Sequence, residues 1–139
     1  MNPSADWFFL AGDLSALPAL SVNLERLPRD AKGYACIEII SEQDKLKLHT
    51  PPGIELVWVT NPQPEIPCSK LVDAIKRLPW LEGDAEVWFA GEFDAMRAAR
   101  RYFKKERGVE KRRLYASSYW KIGATDEGNK MAKRKDIRI

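Results

Sequence analysis

The chain has 139 residues, 45% of them apolar, which is the size of one ordinary domain and enough for one continuous core. No apolar run reaches the roughly eighteen residues of a membrane span, and the start of the chain lacks the basic and apolar regions of a signal peptide. Two cysteines, Cys36 and Cys68, and one histidine, His49, exclude a disulfide framework, a zinc site and a histidine triad, so a single soluble, cytoplasmic, metal-free domain is expected; the net charge of +3 tells less than its placement over 97–113 and 130–138.

Residues 7–11 form an apolar, aromatic run typical of a strand buried on both faces, and the run stops at Gly12-Asp13. Leu14, Leu17, Leu20, Leu24 and Leu27 then recur at helical spacing, with Ser15 as a cap, Pro18 in the first turn and Pro28 closing the helix. A turn over 29–33 leads to a second strand at 34–40, whose outgoing loop is 41–44. Leu46 and Leu48 suggest a short extended piece before Pro51-Pro52-Gly53, and a third strand follows at 54–59. Three prolines make 61–67 irregular. Ser69 caps a helix carrying Leu71, Val72, Ile75 and Leu78, ended by Pro79. A fourth strand at 86–90 halts at Gly91-Glu92 before a helix over 93–105, repeating the order strand, glycine, acid, helix of the opening. Gly108 ends that helix, 113–120 reads as a fifth strand, and from Gly123 onward the chain is polar and lysine-rich, a tail or an appended helix.

Strands alternating with helices imply an α/β fold, a parallel sheet covered on both faces with right-handed crossovers. The order 3-2-1-4-5 puts the topological switch between strands one and four, so Gly12-Asp13 and Gly91-Glu92 face one another across a ligand crevice. Gly12, Asp13 and Ser15 either cradle a pyrophosphate or nicotinamide, with Ser15 donating to a ring or ribose, or simply make a turn and a cap. Gly91 allows a ligand to approach the backbone, while Glu92 equally suits the helix dipole. Tyr119-Trp120-Lys121 either stacks on a planar cofactor beside a cation or plugs the core edge. Arg97, Arg100, Arg101, Lys104 and Lys105 are expected to form a solvated face rather than a nucleic-acid surface, since no stacking platform accompanies them.

Four stretches taken together, 11–19 (AGDLSALPA), Leu78-Pro79-Trp80, Trp88-Phe89-Ala90-Gly91-Glu92 with Arg97, Arg100 and Arg101 following, and Tyr119-Trp120-Lys121-Ile122-Gly123, resemble the successive motifs of the siderophore-interacting protein family. Members of that family are flavin-dependent ferric-siderophore reductases related to the ferredoxin-reductase superfamily. The resemblance implies a three-layer Rossmann-like NAD(P)H-binding domain over 1–128 and a basic tail or helix over 129–139. It also implies that the FAD-binding β-barrel of the N-terminal half is absent from this chain, which is then expected to be inactive alone.

Under the same resemblance Gly12, Asp13, Ser15 and Ala16 lie against nicotinamide and flavin, Gly91 and Glu92 flank the other side, and Tyr119 and Trp120 share that edge. Ser41 and Thr60-Asn61 would read the adenosine and its 2'-phosphate, and Lys121 and Lys130 would attract an anionic ferric siderophore. Leu14 stands where an acid is common, and Ser15 where threonine is usual, which keeps the hydroxyl. No arginine occurs in the two adenosine loops, so NADPH over NADH rests on the resemblance alone. The implied chemistry runs from NADPH or NADH through FAD to Fe(III), releasing Fe(II), with the cofactors performing the redox step and no side chain assigned a catalytic role. An expectation of another class is a non-catalytic Rossmann-like module that docks a protein or nucleic acid through the basic helix.

Overall fold

A computed structural model describes residues 1–124 of the chain. Strand β1 (Trp7–Gly12) is buried at every position, as an apolar run covered on both faces must be. Its side chains alternate: Phe8 and Leu10 enter one core layer, Trp7, Phe9 and Ala11 the other. The remaining strands are β2 (Lys32–Ile39), β3 (Gly53–Thr60), β4 (Ala85–Glu92) and β5 (Leu114–Trp120). All pair in parallel in one sheet of order β3-β2-β1-β4-β5, the order expected from the alternation of elements.

Helix α1 (Leu17–Glu25) covers one face of the sheet through Leu17, Leu20 and Leu24. Helices α2 (Lys70–Arg77) and α3 (Phe93–Arg101) cover the other through Leu71, Ile75, Phe93, Met96 and Ala99, completing a three-layer, Rossmann-like α/β domain. Beyond Arg101, α3 widens into a π-helical turn (Tyr102–Glu106) that buries Tyr102 and Phe103. An aromatic cluster fills this layer. Trp80 meets Trp7 edge-on at 4.6 Å, Phe103 meets Phe9 at 5.2 Å, and the Tyr34 hydroxyl donates to the Pro79 carbonyl at 2.6 Å. Leu78-Pro79-Trp80 is therefore a lid on the core beneath β1.

Several local details differ from the sequence reading. Leu14–Ala16 is a separate 3-10 turn capped by the Asp13 carboxylate rather than by Ser15, and α1 begins only at Leu17, with Pro18 in its first turn. Ser69 holds the N-cap position of α2, but its hydroxyl donates to Asp73 Oδ2 at 2.8 Å instead of capping an amide. Leu46 and Leu48 belong to no strand among the described residues, and Leu46 is exposed, so no partner strand holds this piece extended. β2 starts two residues earlier than its apolar run, because Gly33, at φ +135°, lets β1 pass so close that a Cβ would stand 1.9 Å from the Phe8 carbonyl oxygen. Lys130 and the expected tail lie outside the described residues.

Candidate functional site

The strand order sets three chain exits side by side, at the ends of β1, β4 and β5. Asp13 ties them together. Its buried carboxylate accepts through Oδ1 from the Ser15 amide at 3.0 Å and from the Ser15 hydroxyl. Through Oδ2 it accepts from the Glu92 amide at 3.0 Å and from Trp120 Nε1 at 2.9 Å. These donors offset the cost of burying the charge. Gly91 is needed next to it, since a Cβ there would stand 2.8 Å from Asp13 Oδ2 and 3.1 Å from its Cγ. A register shift between Gly91 and Glu92 skips one residue of β5 and sets Trp120 opposite Glu92, from where its indole reaches Asp13.

Glu92 is a second brace. Its Oε1 accepts from the Asp94 and Ala95 amides at 2.9 and 3.1 Å, capping α3, and its Oε2 accepts from the Ile122 amide at 3.3 Å, anchoring the chain as it leaves β5. The amides of Ser15, Glu92, Asp94 and Ala95, which an open phosphate cradle would present, are thus held by carboxylates of the same chain.

A cleft of about 310 Å³ opens in front of this brace, lined by Asp13, Leu14 and Ser15 after β1, Glu38 to Ile40 at the end of β2, Asn61, Pro64 and Glu65 after β3, and Trp120. Apolar walls with a few convergent polar groups are the make-up of a small-molecule site, but the cleft lies over the ends of β1, β2 and β3, beside the switch point: Gly12-Asp13 and Gly91-Glu92 do not face one another across a crevice, because the Glu92 amide donates directly to Asp13. On one side the Ser15 hydroxyl and the Trp120 indole are fixed by Asp13. On the other, Asn61 Nδ2 donates to Glu38 Oε1 at 3.1 Å and to Cys68 Sγ at 3.3 Å. Burial pushes the Glu38 carboxyl above its ordinary range, and the charges of Asp13 and Glu92 add to this, against the Asn61 bond and Lys70, which pull it down. The residues fit a nicotinamide nucleotide: an indole and aliphatic side chains for a planar ring, and hydroxyl, amide and carboxylate groups for an amide and ribose hydroxyls.

The sequence-predicted residues do not all share one place. Asp13, Ser15 and Trp120 line the cleft, with Asn61. Gly12, Ala16, Gly91 and Glu92 are buried behind it: a Cβ on Gly12 would lie 2.6 Å from the Ala90 carbonyl oxygen and 2.9 Å from Ala16 Cβ, so Gly12 packs the turn against β4. Ser41 and Thr60 are exposed beside the cleft's β2 and β3 wall, where Thr60 Oγ1 donates to Glu42 Oε1 at 3.4 Å. Tyr119 is exposed on the outer strand, with Tyr115 beside it helping to raise its pKa after burial. Lys121 Nζ lies 3.7 Å from Asp94 Oδ1 and 4.7 Å from the Phe93 ring centroid, at the start of α3. Among the described residues no group of three histidine, cysteine or acidic side chains is placed to hold a metal ion, and no helix is long and apolar enough to cross a membrane.

Glu38 and Glu65 were not singled out by sequence reasoning. A signal for Glu38 exists, since it is the lone charge in the otherwise apolar run from Tyr34 to Ile40. The basic residues of α3 line a separate groove of about 970 Å³ that shares no residue with the cleft.

A family model described as siderophore-interacting protein matches residues 5–123. An uncharacterized protein of Mycobacterium tuberculosis is 39% identical over 138 residues, covering 91% of this chain and 48% of its own length. The ferric vibriobactin reductase ViuB of Vibrio cholerae is 36% identical over 126 residues, covering 88% of this chain and 46% of that protein. The crystal structure of the siderophore-interacting protein SipS from Aeromonas hydrophila superposes with a TM-score of 0.86 at 31% identity, over 97% of this chain and 54% of that one. The chain thus spans about half the length of these relatives.

Proposed function

The chain belongs to the siderophore-interacting protein family, and on that premise we propose that residues 1–128 are the NAD(P)H-binding half of a cytoplasmic ferric-siderophore reductase, with 129–139 as a basic tail or helix. The reading is carried by one observation: Asp13 fixes the Ser15 hydroxyl and the Trp120 indole at one end of a cleft that runs over the carboxyl ends of β1, β2 and β3. The named activity of ViuB supports the reaction class. The relatives' greater length supports a companion domain, which we take to be the FAD-binding β-barrel.

When bound, NAD(P)H and FAD supply the two-electron and one-electron chemistry that reduces Fe(III) in a siderophore to the more weakly held Fe(II). The residues of this chain orient. Ser15, whose hydroxyl proton is committed to Asp13, accepts a hydrogen bond from the nicotinamide amide or a ribose hydroxyl, and Trp120 offers a flat wall that Asp13 keeps from rotating. Asn61 and Glu38 meet the ribose at the adenosine side, with Ser41 and Thr60 at the rim. Lys121, next to the same strand ends, adds positive potential for an anionic ferric siderophore.

The test joins the chain to the half of SipS that this chain does not cover, and supplies FAD. Anaerobic addition of reduced nicotinamide nucleotide is expected to bleach the yellow flavin, and a ferric siderophore to restore the colour while an Fe(II) chelator traps the product. A chimera that holds flavin yet keeps its colour with either nucleotide contradicts the reading.

A further inference from the structure

Resting on the nucleotide reading of the cleft, we infer that this chain selects the dinucleotide lacking a 2'-phosphate, NADH over NADPH, because its own carboxylates occupy the place at the end of β2 where that phosphate would need donors. Asp13, Ser15 and Trp120 mark the nicotinamide end of the cleft, which leaves the ends of β2 and β3 for adenosine. In dinucleotide folds the group at the end of the second strand decides: an acid accepts from a ribose hydroxyl, whereas a cation accommodates a phosphate. Here that group is Glu38, on the cleft wall and oriented by Asn61.

Just beyond it the Ile40 and Ser41 amides form a pair suited to an anion. Both donate to Asp44 Oδ2, at 3.0 and 2.9 Å. A carboxylate of the chain therefore sits where a phosphate oxygen would bind. Glu42 engages two more of the local donors: its Oε1 accepts from Thr60 Oγ1 and its Oε2 is paired with Lys45 Nζ at 2.6 Å. Among the described residues neither lysine nor arginine lines the cleft, and Lys70, whose charge reaches Glu38, is opposed there by Asp13 and Glu92. A phosphomonoester carrying close to two negative charges would meet Glu38, Glu42 and Asp44, with the Ile40 and Ser41 amides and the Thr60 hydroxyl engaged by those carboxylates, while a ribose 2'-hydroxyl donates to Glu38.

Calorimetric titration of the 139-residue chain with NADH and with NADPH tests this. The expected result is NADH binding at least about tenfold tighter, the scale of a single like-charge contact near a protein surface. Asp44→Ala, which frees the two amides, is expected to move the NADPH-to-NADH affinity ratio about tenfold toward NADPH. Because Asp44 also holds its turn, Glu42→Lys is the second variant: it leaves the Asp44 bonds in place and is expected to shift the ratio the same way. Tighter or equal binding of NADPH by the unaltered chain overturns the inference and leaves the nucleotide reading standing. Binding of neither nucleotide overturns both.

Discussion

Asp13 concentrates more of the site than any other side chain, since one carboxylate holds a turn, a neighbouring strand end and an indole. Asp13→Asn keeps the shape but turns an NH2 group toward donors at Glu92 and Trp120, or toward Ser15. Removing one acceptor from a buried, charge-assisted set is expected to cost about 2–4 kcal/mol in urea unfolding, with Trp120 fluorescence shifting as its indole loses its anchor. Glu38 behaves in the opposite sense. Its carboxyl is raised in the folded state, so the neutral form contributes stability that is present below the ordinary glutamate pKa and lost as pH rises through the raised value. Glu38→Gln, whose amide oxygen still accepts from Asn61, is therefore expected to melt higher than the parent at neutral pH, with the gain shrinking as pH falls into the glutamate range. A constant difference across that range would show that ionisation is not the cause. Gly12-Asp13 and Gly91-Glu92 were legible in the sequence as paired junctions, because both break an apolar run in the same way. That the two acids close the junctions rather than leave them open was not legible. It depends on the Asp13 carboxylate reaching an amide 79 positions away and an indole 107 positions away, distances that only the folded sheet removes.

Among elements, the strands were the most legible, since β1 and β4 are buried along their whole length and must be apolar throughout. The short pieces were not. The 3-10 turn at Leu14–Ala16 carries helical spacing yet is a separate element, because the Asp13 bond to Ser15 tightens the chain before Pro18 lets α1 begin. Leu46 and Leu48 show the converse: alternation marks a short extended piece, and without a paired neighbour among the described residues it does not become a strand. The aromatic layer under β1 packs one face of the sheet. Phe9 is fully buried and meets Tyr34, Trp80 and Phe103 at 5.4, 6.3 and 5.2 Å. Phe9→Ala is expected to cost about 3–5 kcal/mol in chemical denaturation, a large part of the roughly 5–15 kcal/mol that holds a domain together. A loss under about 1 kcal/mol would mean that the cluster is not the keystone of this layer.

Over the whole molecule two of the concave surfaces differ in sign. The cleft at the strand ends is lined by Asp13, Glu38 and Glu65, while the groove along α3 is lined by Arg97, Arg100, Arg101, Lys104, Lys105 and Lys111. Net charge, which averages the two, hid this polarity, whereas the clustering of basic residues over 97–113 disclosed one half of it. The same polarity separates the two functional classes the sequence suggests. A reductase domain uses the cleft; a docking module uses the groove. Amide resonances of the chain, followed in proton–nitrogen NMR spectra during titration with NADH, report both surfaces in one experiment. The predicted result is shifts at Ser15, Glu38, Asn61 and the Trp120 indole, with the amides from Arg97 to Lys105 unmoved. Spectra unchanged at saturating nucleotide, or shifts gathered along α3, would contradict the account.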